Sequence, residues 1–316
     1  MKLLAIMDPV ESIHHKKDST LALLLEAQKR NWELFYCQPN DLSFSENKIC
    51  AFAQSIKVKD DESWVIFNTP KTQSSLRDFD VILMRKDPPF DRAYLYATYL
   101  LELAQNEGCY IVNHPGSIRD ANEKLYPLWF PKICPPLLVS SNLHHLREFI
   151  KQHQKIVVKP LHGMAGQSVF ILKDKDTNIN VTLELLTHQE TMPIMAQVYL
   201  PEIKNGDKRI LMINGEPYQY ALSRMPALDD FRGNLAKGAK GVGTTLTEQD
   251  RYLCSQVGPT LKAKGLFFVG LDVIGNFVTE INVTSPTGIR EIEAAFNVNV
   301  CDIILDSLVK NKSAKP

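Results

Sequence analysis

The chain has no Cys-x-x-Cys pair. Its six cysteines (Cys37, Cys50, Cys109, Cys134, Cys254, Cys301) are scattered, which excludes the usual zinc spacing and a disulfide framework and leads us to expect reduced thiols in a cytoplasm. No apolar run approaches membrane-spanning length; the first, Leu3 to Met7, is cut off by Asp8-Pro9 and is too short for a signal-peptide core. Neither charge predominates. Lys+Arg and Asp+Glu both number 36, so the net charge asks for neither nucleic acid nor an anionic membrane as partner. Fixed-period repeats and low-complexity tracts are also lacking. What remains is a globular composition, 44% hydrophobic and 23% charged, over 316 residues, enough for two or three domains.

The first third alternates strand-like and helix-like segments: Lys2 to Met7, a helix from Ser19 to Arg30 capped by Asp18 or Ser19, and Glu33 to Cys37. A polar stretch with room for hairpins follows, then Val81 to Met84, a helix over Arg92 to Asn106, and Tyr110 to Val112. Such alternation predicts a parallel α/β sheet, with ligands at the loops that leave its strands, among them Arg85 to Asp91. A boundary is expected between Asn113 and Pro136, bridged by a helix around Asp120 to Trp129. Beyond it, Leu143 to Gln152 (helix), Ile156 to Pro160, Ser168 to Leu172, a helix near Thr182 to Leu186, and Ile194 to Leu200 suggest a small α+β domain. The last third reads as strands at Lys208 to Ile213 and Tyr218 to Arg224 around an Asn214-Gly215 turn, a loop from Pro226 to Thr245, a helix from Glu248 to Lys264, a second hairpin and a terminal helix.

That second hairpin, Leu266 to Val283 with its turn at Gly275-Asn276, is the most informative stretch. Glu280 and Asn282, two apart, leave one face of their strand, with Asp272 roughly opposite. Two carboxylates and an amide, without His or Cys, suit a hard cation such as Mg²⁺ that shares its shell with phosphates. An ordinary hairpin with a wet polar face has the same pattern. Lys159 precedes the loop His162-Gly163-Met164-Ala165-Gly166, where small residues let backbone N–H groups close on an anion. It is not a Walker A loop, because the lysine comes before the glycines and a strand follows; taken alone such a pattern is more often a plain turn. Arg232 to Gly243 combines glycines with cations, and reads either as a linker or as a lid that excludes water on closing.

Taken in order, Met84-Arg85-Lys86-Asp87-Pro88-Pro89-Phe90-Asp91, Asn122-Glu123-Lys124-Leu125, Arg232-Gly233-Asn234-Leu235-Ala236, Gly270-Leu271-Asp272 and Thr279 to Thr287 resemble the bacterial-type glutathione synthetases, within the ATP-grasp family of carboxylate–amine ligases. The resemblance implies an ATP-grasp fold of mixed α/β and α+β class. Its parts would be an N-terminal α/β substrate domain (1–121), a central lid domain (122–201) and a C-terminal catalytic domain with the metal site (202–316). Carried over residue by residue, it implies that Lys124, Lys159, Gly163, Met164, Gly166, Gln197, Val198, Tyr199, Leu200 and Asp207 bind ATP. It assigns Mg²⁺ or Mn²⁺ to Asp272, Glu280 and Asn282, and the reacting groups to Arg209, Arg224, Arg232 and Lys240. Substrate would meet Asp18, Ser19, Arg85, Lys86, Asp87, Asn282, Ser285, Pro286 and Thr287. Two departures stand out: His162 and Ala165 alter the family's Asp-Gly-Met-Gly-Gly loop, and Lys240 stands where arginine is usual.

The implied reaction joins γ-glutamylcysteine to glycine with ATP through an acyl phosphate, in a cytoplasmic homotetramer without nucleic-acid or membrane partners. Another ATP-grasp ligase would keep the nucleotide residues but change Arg85-Lys86-Asp87 and Ser285-Pro286-Thr287. A nucleotide-binding regulator without ligase activity is the alternative from another class, and the intact Asp272, Glu280 and Asn282 speak against it.

Overall fold

The computed structural model describes residues 1–164, 166–227, 232–233 and 238–313. The first sheet holds β1 (Lys2–Ile6), β2 (Glu33–Cys37), β3 (Leu42–Ser45), β4 (Lys48–Val58), β5 (Val65–Phe67), β6 (Thr72–Ser75), β7 (Val81–Met84) and β8 (Ile111–Val112), with near-continuous apolar runs at β1, β7 and β8. Its order is β3-β4-β2-β1-β7-β8, with β5 and β6 also on β4. β1 runs parallel to β2 and β7, and β7 parallel to β8, while β4 pairs antiparallel with all its neighbours. β1 and β7 are apolar on both faces because helices cover both. Leu4 and Ile6 share a core with Tyr94 and Leu101, Leu3 and Ala5 one with Leu21 and Leu24. Those partners lie on α2 (Arg92–Asn106) and α1 (Ser19–Lys29), the latter capped by Asp18, whose Oδ1 accepts from Leu21 N at 2.6 Å.

The helix expected over Asp120 to Trp129 does not form as one element. α3 (Pro115–Asp120) ends first, and only a 3-10 turn at Tyr126–Trp129 follows. Between them Asn122 Oδ1 accepts from Lys124 N and Leu125 N, and this side-chain turn competes with helical hydrogen bonding. The second sheet holds β9 (Leu137–Ser140), β10 (Lys155–Pro160), β11 (Phe170–Lys173) and β12 (Ile194–Val198) in the order β11-β10-β12-β9, all antiparallel. α4 (Leu143–His153) and α5 (Ile179–Leu186) cover it, with Leu146, Ile150 and Leu183 packed on Ile156 and Val158. β12 stops at Val198, short of the expected Leu200.

The third sheet is antiparallel, in the order β15-β14-β13-β16-β17. Its strands are β13 (Asp207–Ile213), β14 (Glu216–Met225), β15 (Lys240–Thr245), β16 (Phe268–Ile274) and β17 (Phe277–Asn282). The expected loop from Pro226 to Thr245 is therefore corrected at its end: Lys240 to Thr245 is a strand in register with Met225 to Tyr220. Residues 228–231 and 234–237 of that loop lie outside the described residues, as does Ala165. α6 (Glu248–Ala263) sends Leu253, Val257 and Leu261 to the same core as Ile210 and Met212. α7 (Ile289–Phe296) and α8 (Val300–Ser313) share a core with the β1 to α1 face. Among the described residues no helix is long and apolar enough to cross a membrane.

Candidate active site

One cavity of about 670 Å³ runs between the three sheets. Cross-strand pairing on the third sheet builds its floor. Asp207 opposes Arg224, Arg209 opposes Asp272, and Asp272 opposes Glu280, so charged side chains from four neighbouring strands meet on one face. Arg209 donates from Nε to Asp272 Oδ1 at 2.5 Å and from Nη2 to Oδ2 at 2.9 Å. Arg224 Nη2 reaches Asp272 Oδ2 at 2.9 Å and also donates to Asp207 Oδ2. Asn282 Nδ2 adds donations to Asp272 Oδ2 at 3.1 Å and to Gly270 O at 3.3 Å.

These contacts move the ionisations in opposite directions. Burial disfavours the Asp272 anion, but Arg209 and then Arg224 outweigh it and hold the carboxyl well below the usual range. At Asp207 burial prevails over Arg224, with the Asp272 charge pushing the same way, and the carboxyl is raised. Asp207 Oδ1 and Arg224 Nε are buried without a hydrogen-bond partner. An acceptor and a donor are thus left over in the wall, as a polar ligand requires.

Glu280 sits at the junction with the second sheet. Its Oε1 lies 3.4 Å from Lys159 Nζ and 3.9 Å from Lys124 Nζ. Burial opposes its ionisation, yet the two lysines lower its pKa. Lys124 also donates to Gly163 O at 2.9 Å, which fastens the bridging segment to the glycine loop. Two lysines, 9% and 7% exposed, against one carboxylate leave positive charge over, which suits a polyphosphate. Apolar and amide groups from Val157, Val169, Gln197, Leu200, Ile203 and Ile274 line the cavity beside them, together with Tyr199. Such a surface fits a flat heterocycle.

The wall from the first sheet differs in chemistry. Asp87 accepts from Ser285 Oγ and takes its own N–H to Asp8 Oδ2 at 2.7 Å. Asp18, Asp87, Ser285, Pro286 and Thr287 line the cavity, as do Arg232, Met164 and Gly166. Five of the sequence-derived residues do not: Ser19, Arg85, Lys86, Val198 and Lys240. Arg85 instead donates to Thr20 Oγ1 at 3.1 Å and Pro286 O at 3.0 Å, clasping the first sheet to the loop after β17. Lys86 pairs with Asp8 at 2.8 Å, and Lys240 lies on β15 opposite Met225. Conversely, Glu123, Lys17, His14, Gln167, Thr284 and Glu291 line the cavity and were not singled out. Glu123 lies inside a quoted block and Lys17 adjoins Asp18, so position was legible where role was not.

The donor set bears on whether a hard divalent cation fits here. Among the described residues no three His, Cys, Asp or Glu side chains converge as a metal cluster. Glu280 and Asn282, which spends its nitrogen on Gly270 and Asp272 and so keeps its oxygen for a ligand, do fit such an ion completed by phosphate and water. Asp272 fits as a third, more weakly available ligand because two arginines already hold it.

Comparison with known proteins follows the same lines. The family model for the ATP-grasp domain of prokaryotic glutathione synthetase matches residues 123–297, and the model for its N-terminal domain matches residues 1–119. A glutathione synthetase from Coxiella burnetii is 50% identical over 302 residues, 95% of this chain and 94% of that protein. One from Pseudomonas putida is 50% identical over 315 residues, covering 100% and 99%. Among solved structures, D-cycloserine synthetase superposes with a TM-score of 0.68 at 13% identity, covering 98% of this chain and 99% of that one. At that identity the likeness speaks for the fold alone.

Proposed function

The chain belongs to the prokaryotic glutathione synthetase family and is an ATP-dependent ligase that makes glutathione, and from that premise we propose how its residues divide the work. The observation that carries the division is one continuous cavity with three unlike walls: apolar beside two lysines, lined at its floor by paired arginines and carboxylates, and mixed polar against the first sheet. ATP lies with its base among Val157, Gln197, Tyr199 and Leu200 and its phosphates toward Lys124, Lys159 and the Gly163–Gly166 loop. γ-Glutamylcysteine and glycine occupy the side bounded by Asp18, Asp87 and Ser285 to Thr287. By this division residues 1–121 serve as substrate domain, 122–201 as lid and 202–316 as catalytic domain.

A divalent cation, which we take to be Mg²⁺, would be held by Glu280 and Asn282 with Asp272 beside them. When bound it neutralises charge on the phosphates and polarises the group being transferred. The chain's own residues do the rest. Arg209, anchored on Asp272, and Arg224, anchored on Asp207 and Asp272, present fixed positive charge where the cysteinyl carboxylate of γ-glutamylcysteine meets the γ-phosphoryl group. Their rigidity matters because fixed donors need no rearrangement as charge develops. Phosphoryl transfer to the carboxylate gives an acyl phosphate and ADP, and attack by the glycine amine then releases phosphate. No protein nucleophile is required, so the task is positioning and exclusion of water.

Cytoplasmic location and a homotetramer are carried over from the resemblance as part of the same proposal. The deciding experiment measures ADP and glutathione together while γ-glutamylcysteine, glycine and Mg²⁺ are withheld one at a time. ADP release that depends on all three supports the assignment. Equal turnover with a different amine acceptor would replace glycine as the substrate.

A further inference from the structure

Residues 122 to 124 form a junction of six hydrogen bonds to two other parts of the site. Asn122 Nδ2 donates to Leu161 O at 3.1 Å, ahead of the glycine loop, and Lys124 Nζ donates to Gly163 O within it. Between them Glu123 turns the other way. Its Oε1 accepts from Val283 N at 3.0 Å, Thr284 N at 3.1 Å and Thr284 Oγ1 at 2.8 Å, and its backbone oxygen accepts from Ile281 N at 2.9 Å. Val283, the residue after Asn282, is held from the opposite side as well, its carbonyl accepting from Asn113 Nδ2 at 2.7 Å.

We propose that Glu123 is a positioning residue that fixes the carboxyl end of β17, setting the Glu280 and Asn282 oxygens and the Ser285 to Thr287 wall at a constant distance from Lys124. The geometry explains why one acceptor must do this. Past Asn282 the strand has left its partner β16, so the N–H groups of Val283 and Thr284 have no ladder to join. A single carboxylate oxygen collects both and the Thr284 hydroxyl, with charge-assisted strength. Because Glu123 is bonded covalently to Lys124, the same contact sets the phosphate-side lysine and the metal-side strand in one register. Its Oε1 is taken up by two backbone N–H groups and the Thr284 hydroxyl, while the residue also lines the cavity.

The inference rests on the metal and nucleotide assignments above, and its test reads binding as well as turnover. Glu123→Ala and Glu123→Gln would be compared with the parent for ATP affinity by calorimetry, with Mg²⁺ and with EDTA, and for the Mg²⁺ concentration that gives half-maximal glutathione synthesis. Loss of an outer contact to a ligand-bearing strand weakens metal-dependent binding by about tenfold or more, so Glu123→Ala is expected to shift both Mg²⁺-dependent quantities by that factor. ATP affinity in EDTA is expected to change by less than about threefold, and Glu123→Gln, which keeps the acceptor oxygen, to restore most of the loss. An unchanged Mg²⁺ requirement in Glu123→Ala, or a Glu123→Gln variant as defective as the alanine, overturns the proposal. Should Glu123→Ala fail to fold, Thr284→Val removes only the hydroxyl donor. A smaller shift in the same direction supports the role, and no shift overturns it. Failure of the parent enzyme to use glycine would refute the substrate assignment while leaving the EDTA and Mg²⁺ binding comparison intact.

Discussion

Arg209 meets Asp272 with both ends of its guanidinium fork, Nε on Oδ1 and Nη2 on Oδ2, across directly paired strands. A lysine can supply the charge but not the two parallel bonds. Arg209→Lys is therefore expected to leave the fold intact and to lower kcat by about 10²-fold, the usual loss when one fixed donor to a developing charge is removed. Steady-state ADP release and a thermal melt check it together. A variant within twofold of the parent would make Arg209 a counter-ion for Asp272 and nothing more.

Glu280 has two duties that can be separated. It is the proposed metal ligand and also the counter-charge to Lys124 and Lys159. Glu280→Gln is expected to lose about 10²-fold in turnover without recovery at high Mg²⁺, because an amide is a poor substitute for an anionic ligand. It should also lose the stabilisation that Mg²⁺·ATP gives the parent in a thermal melt. Recovery of near-parent turnover at saturating Mg²⁺ would remove Glu280 from the metal shell.

Lys159 is the last residue but one of β10, just before the glycine loop, and is 7% exposed. Lys159→Ala is expected to raise the KM for ATP by about tenfold or more, the worth of one charge-assisted hydrogen bond, while the KM for glycine moves little. Equal losses for ATP and glycine would mean that the lysine supports the sheet and not the phosphates.

Asp18 gives a test of stability alone. Burial is the largest influence on its carboxyl and raises its pKa, with the Leu21 N–H and Arg85 pulling the other way. Because the folded-state value lies above the unfolded one, the folded protein binds this proton more tightly. The stabilisation is full below the unfolded value of 3.8 and is lost as pH rises through the folded value. Asn is an equally good N-cap and does not titrate. The melting temperature of Asp18→Asn relative to the parent is thus expected to rise as pH is raised above 3.8. A difference independent of pH would show that Asp18 does not titrate on unfolding as described.

The hairpin that carries Asp272, Glu280 and Asn282 was legible because alternation and a Gly275-Asn276 turn are local signals, and the structure pairs Asp272 with Glu280 as the spacing implies. The strand at Lys240–Thr245 was not. Its two glycines argue against a strand, and the reason they are tolerated is distant: a Cβ on Gly243 would lie 2.6 Å from Ala295 and Phe296 on α7. The packing partners of Arg85 were not legible either. The resemblance assigned it to substrate, and its partners Thr20 and Pro286 are brought to it only by tertiary packing. Glu123 shows the same limit, since its three donors come from residues 160 positions or more away.

Arg232 bridges two sheets. Its Nη1 donates to Gly166 O in the glycine loop at 2.9 Å. The next residue, Gly233, passes so near Asp207 that a Cβ there would lie 2.6 Å from the Asp207 Cβ. A bond across the cavity between the phosphate loop and the third sheet can hold the site closed while an acyl phosphate waits for its amine. Arg232→Ala removes that bond and leaves the floor of Arg209, Arg224 and Asp272 untouched, so ATP is still expected to be cleaved. What should change is the fate of the acyl phosphate. Water that enters hydrolyses it, and ADP is then released in excess over glutathione, by about twofold or more at low glycine and less as glycine is raised to compete. ADP and glutathione counted in one reaction over a range of glycine give the ratio directly. A one-to-one ratio at every glycine concentration, at whatever rate, would show that Arg232 orders the nucleotide side of the cavity without guarding the intermediate.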